Sequence, residues 1–339
     1  MTAGRFGFRW LLGSLALLAA AGLGAAWWVD RWLDEPLPLA GPEVQVTIEP
    51  GSSAREVTER WVGAGVQVPS SWLYLWFRAS GDARRIRAGT YAIDATTSPR
   101  RLLRKLVLGE ESLESVRLIE GWTLRQWREA LAAAPHLQPT TARMSEPELM
   151  AAIGAPGQPG EGRFFPDTYR YARGSTDLTV LKLAYDQMQR RLESAWEARA
   201  PGLPLDSTDE ALILASIVEK ETGRSSERGL IAGVFVNRLR LGMPLQTDPT
   251  VIYGLGSAFD GNLRKRDLLA DTPYNTYTRR GLPPTPIAMP GADSIVAAVQ
   301  PQPTRALYFV ARGDGSSVFS ETLAEHNRAV DRYQRRASP

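Results

Sequence analysis

Apolar residues are distributed along this chain in one long uninterrupted run near the N-terminus, followed by many shorter amphipathic stretches. The long run, residues 10–29, contains no charged side chain, and a helix of about 20 apolar residues matches the thickness of a bilayer core. Arg5 and Arg9 precede the run, whereas acidic and basic residues are mixed after it. Since basic residues favour the cytoplasmic side, the pattern predicts a transmembrane anchor, with residues 1–9 in the cytoplasm and the rest exported.

A cleaved signal peptide is the alternative interpretation of the same run, because residues 24–26 offer a small-x-small cleavage site. The run is long for a signal peptide, and a pair of tryptophans, Trp27 and Trp28, would follow the cut. The uncleaved anchor is therefore favoured, and either interpretation places the remainder outside the cytoplasm. Residues 30–42 contain a proline-rich stretch and predict a short linker.

Short strand and helix patterns alternate after the linker. Two strands and two amphipathic helices are predicted in the order strand, helix, helix, strand, at residues 44–48, 54–63, 70–79 and 89–93. A further helix is expected between Ser98, a residue type that caps helix N-termini, and Gly109. The order through the second strand resembles a LysM-like glycan-binding module over residues 43–110. A small spacer domain that touches no sugar fits the same order equally well.

The remaining residues, 111–335, mix strands and helices in a longer domain. Strands and helices are predicted near residues 116–119, 124–133, 178–200, 227–241, 306–310 and 317–320. The predicted fold class is therefore α+β, with an N-terminal transmembrane helix, a small LysM-like subdomain and a larger mixed α/β domain.

Composition excludes several kinds of functional site. The chain has 339 residues, of which 43% are apolar, enough for two domains and an appendage. It contains no cysteine, which excludes disulfides and thiolate metal sites. Its only histidines, His136 and His326, are too few to favour a histidine-based metal site or a Ser-His-Asp triad. The net charge of +3 is small, and no concentrated basic patch indicates a nucleic-acid-binding protein. Carboxylates are therefore the first candidates for acid–base chemistry.

One predicted helix carries the most informative acidic residues. Thr208 is the candidate N-cap of this helix, which is apolar all round for two turns and reaches Glu219 and Glu221 at the end of that run. A carboxyl group there would be partly desolvated, which raises its pKa and lets it hold a proton near neutral pH. Residues two apart on a helix lie about 200° apart, so the two glutamates face different sides. The smaller, more polar stripe through Ser216 leaves more room for a ligand, which favours Glu219.

An alternative is that both glutamates form surface ion pairs with Lys220, Arg224 or Arg228. Two later loops favour a functional interpretation, because they are rich in proline, glycine and polar side chains. Residues 242–254 and 274–277 contain amide, hydroxyl and carboxylate groups suited to sugar hydroxyls and amides. Their position after a buried acidic helix predicts a polar, aromatic-lined cleft.

Several long runs carry a family resemblance. Four of them read ILASIVEKET, VFVNRLRLGMPLQTDPTVIYGLG, YNTYTRRGLPPTPIAMPGADSI and LYFVARGDGSSVFSETLAEHN, and two shorter ones read EGRFFPDTY and LIEGWT. Together they resemble, in the right order and over residues 44–330, the MltG (YceG-like) family of endolytic peptidoglycan transglycosylases.

The resemblance implies a lyase that needs no metal and no cofactor. Such an enzyme cleaves the β-1,4 bond between N-acetylmuramic acid and N-acetylglucosamine within a peptidoglycan strand, leaving a 1,6-anhydro-N-acetylmuramic acid end. The family's catalytic acid falls on Glu219, with Glu221 as the fallback. The candidates for orienting the sugar are polar residues of the later loops: Gln246, Asp248, Tyr253 and Asn275.

The resemblance also implies a location and partners. The enzyme would terminate growing glycan strands from the inner membrane, held as a single-pass protein by its N-terminal helix, with the catalytic domain in the periplasm. Cell-wall synthases are candidate protein partners, and no nucleic acid is implicated.

Two other functions fit the same residues. A muramidase-like hydrolase would use Glu219 and Asp248 as a carboxylate pair separated by roughly 5 to 9.5 Å. A glycan-binding scaffold in a wall-synthesis complex would bind strands without cleaving them.

Overall fold

The computed structural model describes residues 3–335 of the chain, with side chains for residues 17–334. The chain divides after Glu114 into two compact units, here called the first and second units. Among the residues with described side chains, the first unit has one hydrophobic core and the second has two. The sequence places the corresponding boundary after residue 110.

A long helix, α1 (Ala3–Asp34), begins the first unit. The predicted cytoplasmic segment and residues 10–16 of the predicted anchor have side chains outside the described part of the chain. Among the described residues, no helix combines the length and apolar character needed to cross a bilayer. The C-terminal end of α1 is held by Arg100, whose guanidinium lies 2.7 Å from Asp30 and 2.8 Å from Asp34.

The first unit packs two antiparallel strands with helices. In chain order the elements after α1 are β1 (Glu43–Ile48), α2 (Ala54–Gly63), α3 (Ser70–Ala79), β2 (Gly89–Asp94) and α4 (Pro99–Leu108). Alternation along β1 directs Val44, Val46 and Ile48 into a core that also contains the fully buried Trp61 and Phe77. The predicted order of strand, helix, helix and strand is confirmed, as is the helix between Ser98 and Gly109.

The second unit begins within β3 (Leu113–Arg117), and its first core is built on two strands and three helices. These elements are β3, α5 (Leu124–Ala132), α6 (Glu146–Ile153), β4 (Thr168–Ala172) and α7 (Asp177–Glu197). Strands β3 and β4 form a two-stranded sheet, and the fully buried rings of Trp127 and Phe164 lie 6.0 Å apart in the core. The strand predicted at 116–119 ends earlier, at Arg117, and the turn that follows bonds to the backbone of Met289.

The other core of the second unit surrounds α8 (Thr208–Glu221). The later elements are α9 (Ser225–Arg240), α10 (Asp248–Leu255), α11 (Lys265–Leu269), α12 (Ala292–Val299), β5 (Tyr308–Ala311), β6 (Ser317–Ser320) and α13 (Leu323–Val330). Every residue from Ala211 to Val218 is buried, because α7, α9, α10 and α12 all pack against α8. The prediction of an internal, apolar helix is confirmed.

Two local predictions in this part of the chain are wrong. The N-cap of α8 is Ser207, whose hydroxyl accepts a hydrogen bond from Glu210 N, and not Thr208. Residues 248–255 form α10, although the sequence predicts a loop there. Pro249 at the start of α10 suits the first helical turn, where no backbone N–H donor is needed, so the proline begins a helix instead of preventing one.

Candidate active site

Glu219 lies near the C-terminal end of α8, with only 5% of its side chain exposed. Its Oε2 atom accepts hydrogen bonds from the Gly291 backbone N–H at 2.9 Å and from the Ser294 hydroxyl at 2.7 Å. Arg228 Nη2 donates to its Oε1 atom at 3.3 Å. Donors from α9 and from the beginning of α12 therefore hold one buried carboxylate in a defined orientation.

Arg228 is shared among three carboxylates. Its Nη2 atom lies 3.3 Å from Glu219 and 3.6 Å from Glu120, and its Nη1 atom lies 3.3 Å from Asp293. Only 9% of the Arg228 side chain is exposed, so its pair with Glu219 is not the surface ion pair that the sequence left open. An excess of negative charge around one buried cation is typical of a functional site.

A turn that starts at Glu120 closes one side of the site. Gly121 N donates to Met289 O and Met289 N donates to Trp122 O, both at 2.8 Å. Lys220 Nζ donates to Gly121 O at 3.1 Å. The end of α8, this turn and the segment before α12 therefore meet at the buried glutamate.

A side chain at Gly291 would displace the Glu120 carboxylate from its observed position. A Cβ atom on it would lie 2.1 Å from Glu120 Oε2 and 3.5 Å from Glu219 Oε2. The glycine lets its own N–H approach the Glu219 carboxylate, and both carboxylates face the same point in space.

A groove of about 1130 Å³ adjoins this cluster. It begins at Lys220 and extends along α5 and α10, with Tyr253, Phe259 and Tyr274 among its aromatic lining residues. Its charged lining residues include both signs: Arg125, Arg128, Glu129, Glu146, Glu161 and Lys220. The groove agrees with the polar, aromatic-lined cleft that the sequence predicts. Glu219 itself is enclosed by its three donors and is not among the lining residues.

Glu161 is a buried acid within the groove. Its Oε1 atom accepts from Leu124 N at 3.0 Å and its Oε2 atom accepts from the Tyr253 hydroxyl at 3.2 Å. Burial raises the pKa of Glu161 to about 7, although both hydrogen bonds oppose the rise. The Tyr253 ring packs edge to face on Tyr274, with centroids 4.9 Å apart. Tyr253, a predicted sugar-orienting residue, therefore joins the groove's aromatic surface to this acid.

Glu221 faces a different side of α8, as the two-residue spacing predicts. Its carboxylate accepts a hydrogen bond from the Thr247 hydroxyl, in the loop before α10. Burial raises the pKa of Glu221 to about 7, and the nearby Asp248 carboxylate also raises it, against the opposing effects of Thr247 and Arg238. Glu221 does not line the groove and holds the loop that precedes α10.

Gln246 lies in that same loop and Asp248 is the first residue of α10; both are exposed to solvent and outside the groove lining. Arg238 Nη1 donates to Gln246 Oε1 at 3.2 Å, and the Tyr277 hydroxyl donates to Asp248 Oδ1 at 2.5 Å. Their contacts belong to the side of α8 that carries Glu221.

Asn275 is fully buried. Its Nδ2 atom donates to the carbonyl oxygens of Leu268 and Ala270 at 3.1 Å and 2.6 Å, and its Oδ1 atom accepts from Tyr277 N at 2.9 Å. These bonds close the loop after α11, so the side chain maintains loop shape and does not face the groove.

Several contacts at the site join residues that no local sequence pattern connects. Ser216, whose stripe was expected to leave room for a ligand, is fully buried and accepts a hydrogen bond from Ile287 N at 3.0 Å. No local pattern distinguishes Glu120, Ser294 or Glu161, although each lies in a run that resembles the family. Among the described residues, no group of three or more histidine, aspartate or glutamate side chains is arranged to hold a metal ion.

Stability is expected to fall as pH rises from about 5 to about 8, because of Glu161 and Glu221. Each carboxyl has a pKa of about 7 in the folded chain, above its ordinary value of 4.5. The folded chain therefore holds more protons between these values, and the stabilisation present below the unfolded pKa is lost as pH rises through the folded one. In urea denaturation, Glu221→Gln should remove up to about 3 kcal/mol of this pH-dependent change.

Glu193→Gln supplies the matched control for that titration. Glu193 is an exposed glutamate on α7, so its replacement should leave the pH dependence of unfolding unchanged. The same pH dependence in Glu221→Gln and the unmodified chain would contradict the prediction.

Comparison with known proteins identifies one family and several similar proteins. The sequence profile described as the YceG-like family matches residues 46–332. A protein of Bacillus subtilis (strain 168) named endolytic murein transglycosylase is 42% identical over 52% of this chain and 48% of its own length. A protein of the same name from Streptococcus pneumoniae serotype 2 is 28% identical over 93% of this chain and 63% of its own length. The chain thus spans about half to two thirds of these relatives.

A solved structure is also similar in fold. The crystal structure of a yceG-like protein from Listeria monocytogenes matches with a TM-score of 0.55 and 29% sequence identity. The match covers 84% of this chain and 98% of that one, so the likeness includes most of both chains.

Proposed function

We propose that this chain, which belongs to the YceG-like family, is an endolytic peptidoglycan transglycosylase that uses Glu219 as its catalytic acid and base. The observation that carries the proposal is a single carboxyl, 5% exposed, oriented by three donors next to a groove. Two relatives named endolytic murein transglycosylase support the assignment of the reaction.

In the first step, protonated Glu219 donates its proton to the glycosidic oxygen between N-acetylmuramic acid and N-acetylglucosamine. The C1–O bond breaks, and positive charge develops at the muramic C1, where the substrate's own N-acetyl group can stabilise it. The carboxylate left on Glu219 accepts hydrogen bonds from Arg228, Gly291 N–H and the Ser294 hydroxyl. These fixed donors stabilise the charge that forms when the acid gives up its proton.

In the second step, the Glu219 carboxylate takes the proton from the C6 hydroxyl, and the C6 oxygen attacks C1. The product is a 1,6-anhydro ring, and Glu219 is protonated again for the next cycle. One residue acts as acid and then as base, so no second carboxylate nucleophile is required.

The groove provides a surface for the glycan strand. Tyr253 and Tyr274 form an aromatic wall for sugar faces, and their polar neighbours supply donors and acceptors for hydroxyl and amide groups. Gln246 and Asp248 remain proposed sugar-orienting residues, at the far side of α8 from Glu219. Asn275 contributes by holding the loop after α11.

The single-acid mechanism is favoured over a two-carboxylate hydrolase. Asp248, the partner considered for Glu219, interacts with Glu221 and Tyr277 instead. A hydrolase would add water to the broken bond, whereas the transglycosylase product lacks it, so the product masses differ for the two reactions.

The location and partners of the enzyme are part of the proposal. An envelope location follows from a peptidoglycan substrate, and residues 10–29 would anchor the chain in the inner membrane with the second unit outside the cytoplasm. The LysM-like subdomain would add a second contact with the strand, and cell-wall synthases would be neighbours that supply nascent strands.

Mass spectrometry of glycan strands tests the reaction. The full chain, in detergent, is incubated with uncrosslinked strands, and the lengths and end groups of the fragments are measured. Internal fragments with anhydro ends are expected from the beginning of the reaction. Reducing ends would replace the proposal with hydrolysis, and binding without cleavage would replace it with a scaffold.

A further inference from the structure

A second carboxylate lies beside Glu219 without belonging to the mechanism described above. Glu120 Oε1 is 3.6 Å from the same Arg228 nitrogen that lies 3.3 Å from Glu219 Oε1. Glu120 Oε2 and Glu219 Oε2 both face Gly291, whose missing side chain leaves room for them. Two like charges therefore share one guanidinium nitrogen.

The two carboxylates differ in their surroundings. The Glu120 side chain is 51% exposed and, among the described residues, receives no hydrogen bond, whereas Glu219 is 5% exposed and receives three. Burial and the charge of Glu219 raise the pKa of Glu120, with Asp293 adding to the rise and Arg228 opposing it. Glu120 is thus the part of the carboxylate pair that is open to solvent.

The charges that face Glu219 come from three neighbouring elements. Arg228 on α9 attracts the ionised form, while Glu120 on the turn before α5 and Asp293 on α12 compete for the same guanidinium. Lys220, the next residue on α8, directs its ammonium group to Gly121 O. Of the competing acids, Asp293 is the more exposed, with 68% of its side chain accessible.

We propose that Glu120 is a positioning residue of the catalytic centre, which shares Arg228 with Glu219 and so keeps Glu219 able to carry the proton that it donates. The inference rests on the proposed function, because it assigns the control of protonation to the same site. An undivided ion pair with Arg228 would hold Glu219 ionised to lower pH. A neighbouring negative charge favours the protonated form of Glu219 and weakens that hold.

The test compares three variants of the full chain by the pH dependence of strand cleavage. In Glu120→Gln, the limb on which kcat falls with rising pH should move down by about one pH unit, with KM little changed. Glu120→Asp keeps the charge and should return the limb close to its original position. Glu193→Gln, the same chemical change at an exposed position on α7, should leave the profile unmoved.

A second measurement does not depend on activity. Carboxyl carbon NMR of glutamate-labelled chain follows the Glu219 signal, which is identified by its loss in Glu219→Gln. Its titration midpoint should fall in Glu120→Gln and stay in place in Glu193→Gln. An unchanged midpoint would overturn the inference, as would a rate loss in Glu120→Gln that is equal at every pH. Absence of cleavage by the unmodified chain would instead remove the proposed function, and the NMR titration would still decide the coupling.

Discussion

Glu219→Gln is expected to reduce strand cleavage by about 10²–10⁴-fold, the range typical of losing a general acid–base residue. Glutamine keeps the size of the side chain, and its amide oxygen can still accept from Gly291 N–H and the Ser294 hydroxyl. Its amide has no acidic proton to donate and is too weak a base to take one from the C6 hydroxyl. Mass spectrometry should therefore show intact strands, while the far-UV circular dichroism and unfolding midpoint stay close to those of the unmodified chain.

Glu221→Gln is the matched control for that variant. Glu221 lies two residues further along α8, contacts Thr247 and does not line the groove. Its replacement should retain most of the cleavage activity and change mainly the pH dependence of stability. If Glu221→Gln abolished cleavage and Glu219→Gln did not, the assignment of the acid would be wrong and the fallback would take its place.

Gly162→Ala is expected to destabilise the second unit by about 3 kcal/mol, at the upper end of the cost of overpacking. Gly162 has a φ of +80°, and a Cβ atom there would lie 2.4 Å from Pro286 Cβ and 2.6 Å from Pro286 Cγ. The rigid proline ring cannot rotate away, so the loop that carries Glu161 would have to move. Urea denaturation should show the loss, and cleavage should fall as the groove distorts.

Gly157→Ala separates the steric effect from backbone strain. Gly157 also has a φ of +80°, but a Cβ atom on it would meet nothing within 4 Å. Its replacement should cost only about 1 kcal/mol, the penalty of a left-handed conformation. Equal losses for the two alanine variants would show that the contact with Pro286 does not matter.

Local patterns were sufficient to predict most of the elements that carry the site. The apolar run from Ala211 to Val218 predicts an internal helix, and the two-residue spacing of Glu219 and Glu221 predicts that they face different sides. In the first unit, alternation along β1 and the helix cap at Ser98 predict the observed strand and helix. These predictions succeed because each depends on side chains within a few residues of one another.

Local patterns were less reliable where long-range contacts decide the outcome. Residues 248–255 contain proline and glycine typical of a loop, yet they form α10, which packs against α8. Ser216 is small and polar, which is typical of an open stripe, but its hydroxyl accepts a hydrogen bond from the backbone N–H of Ile287. The segment around Ile287, which is distant from α8 in sequence, packs against the Ser216 side of the helix, and the pattern of α8 alone does not predict this contact.

The sequence by itself determined that a carboxyl stands at the end of a buried helix and that the chain belongs to the YceG-like family, whose profile matches residues 46–332. Only the tertiary structure decided which groups surround that carboxyl. Arg228, Gly291, Ser294 and Glu120 come from separate parts of the chain and meet at Glu219 because α9, α12 and the turn before α5 pack around α8. Hydrogen bonds and charges act over a few ångströms in space, whatever the distance along the chain, so their partners are defined only once the elements have packed.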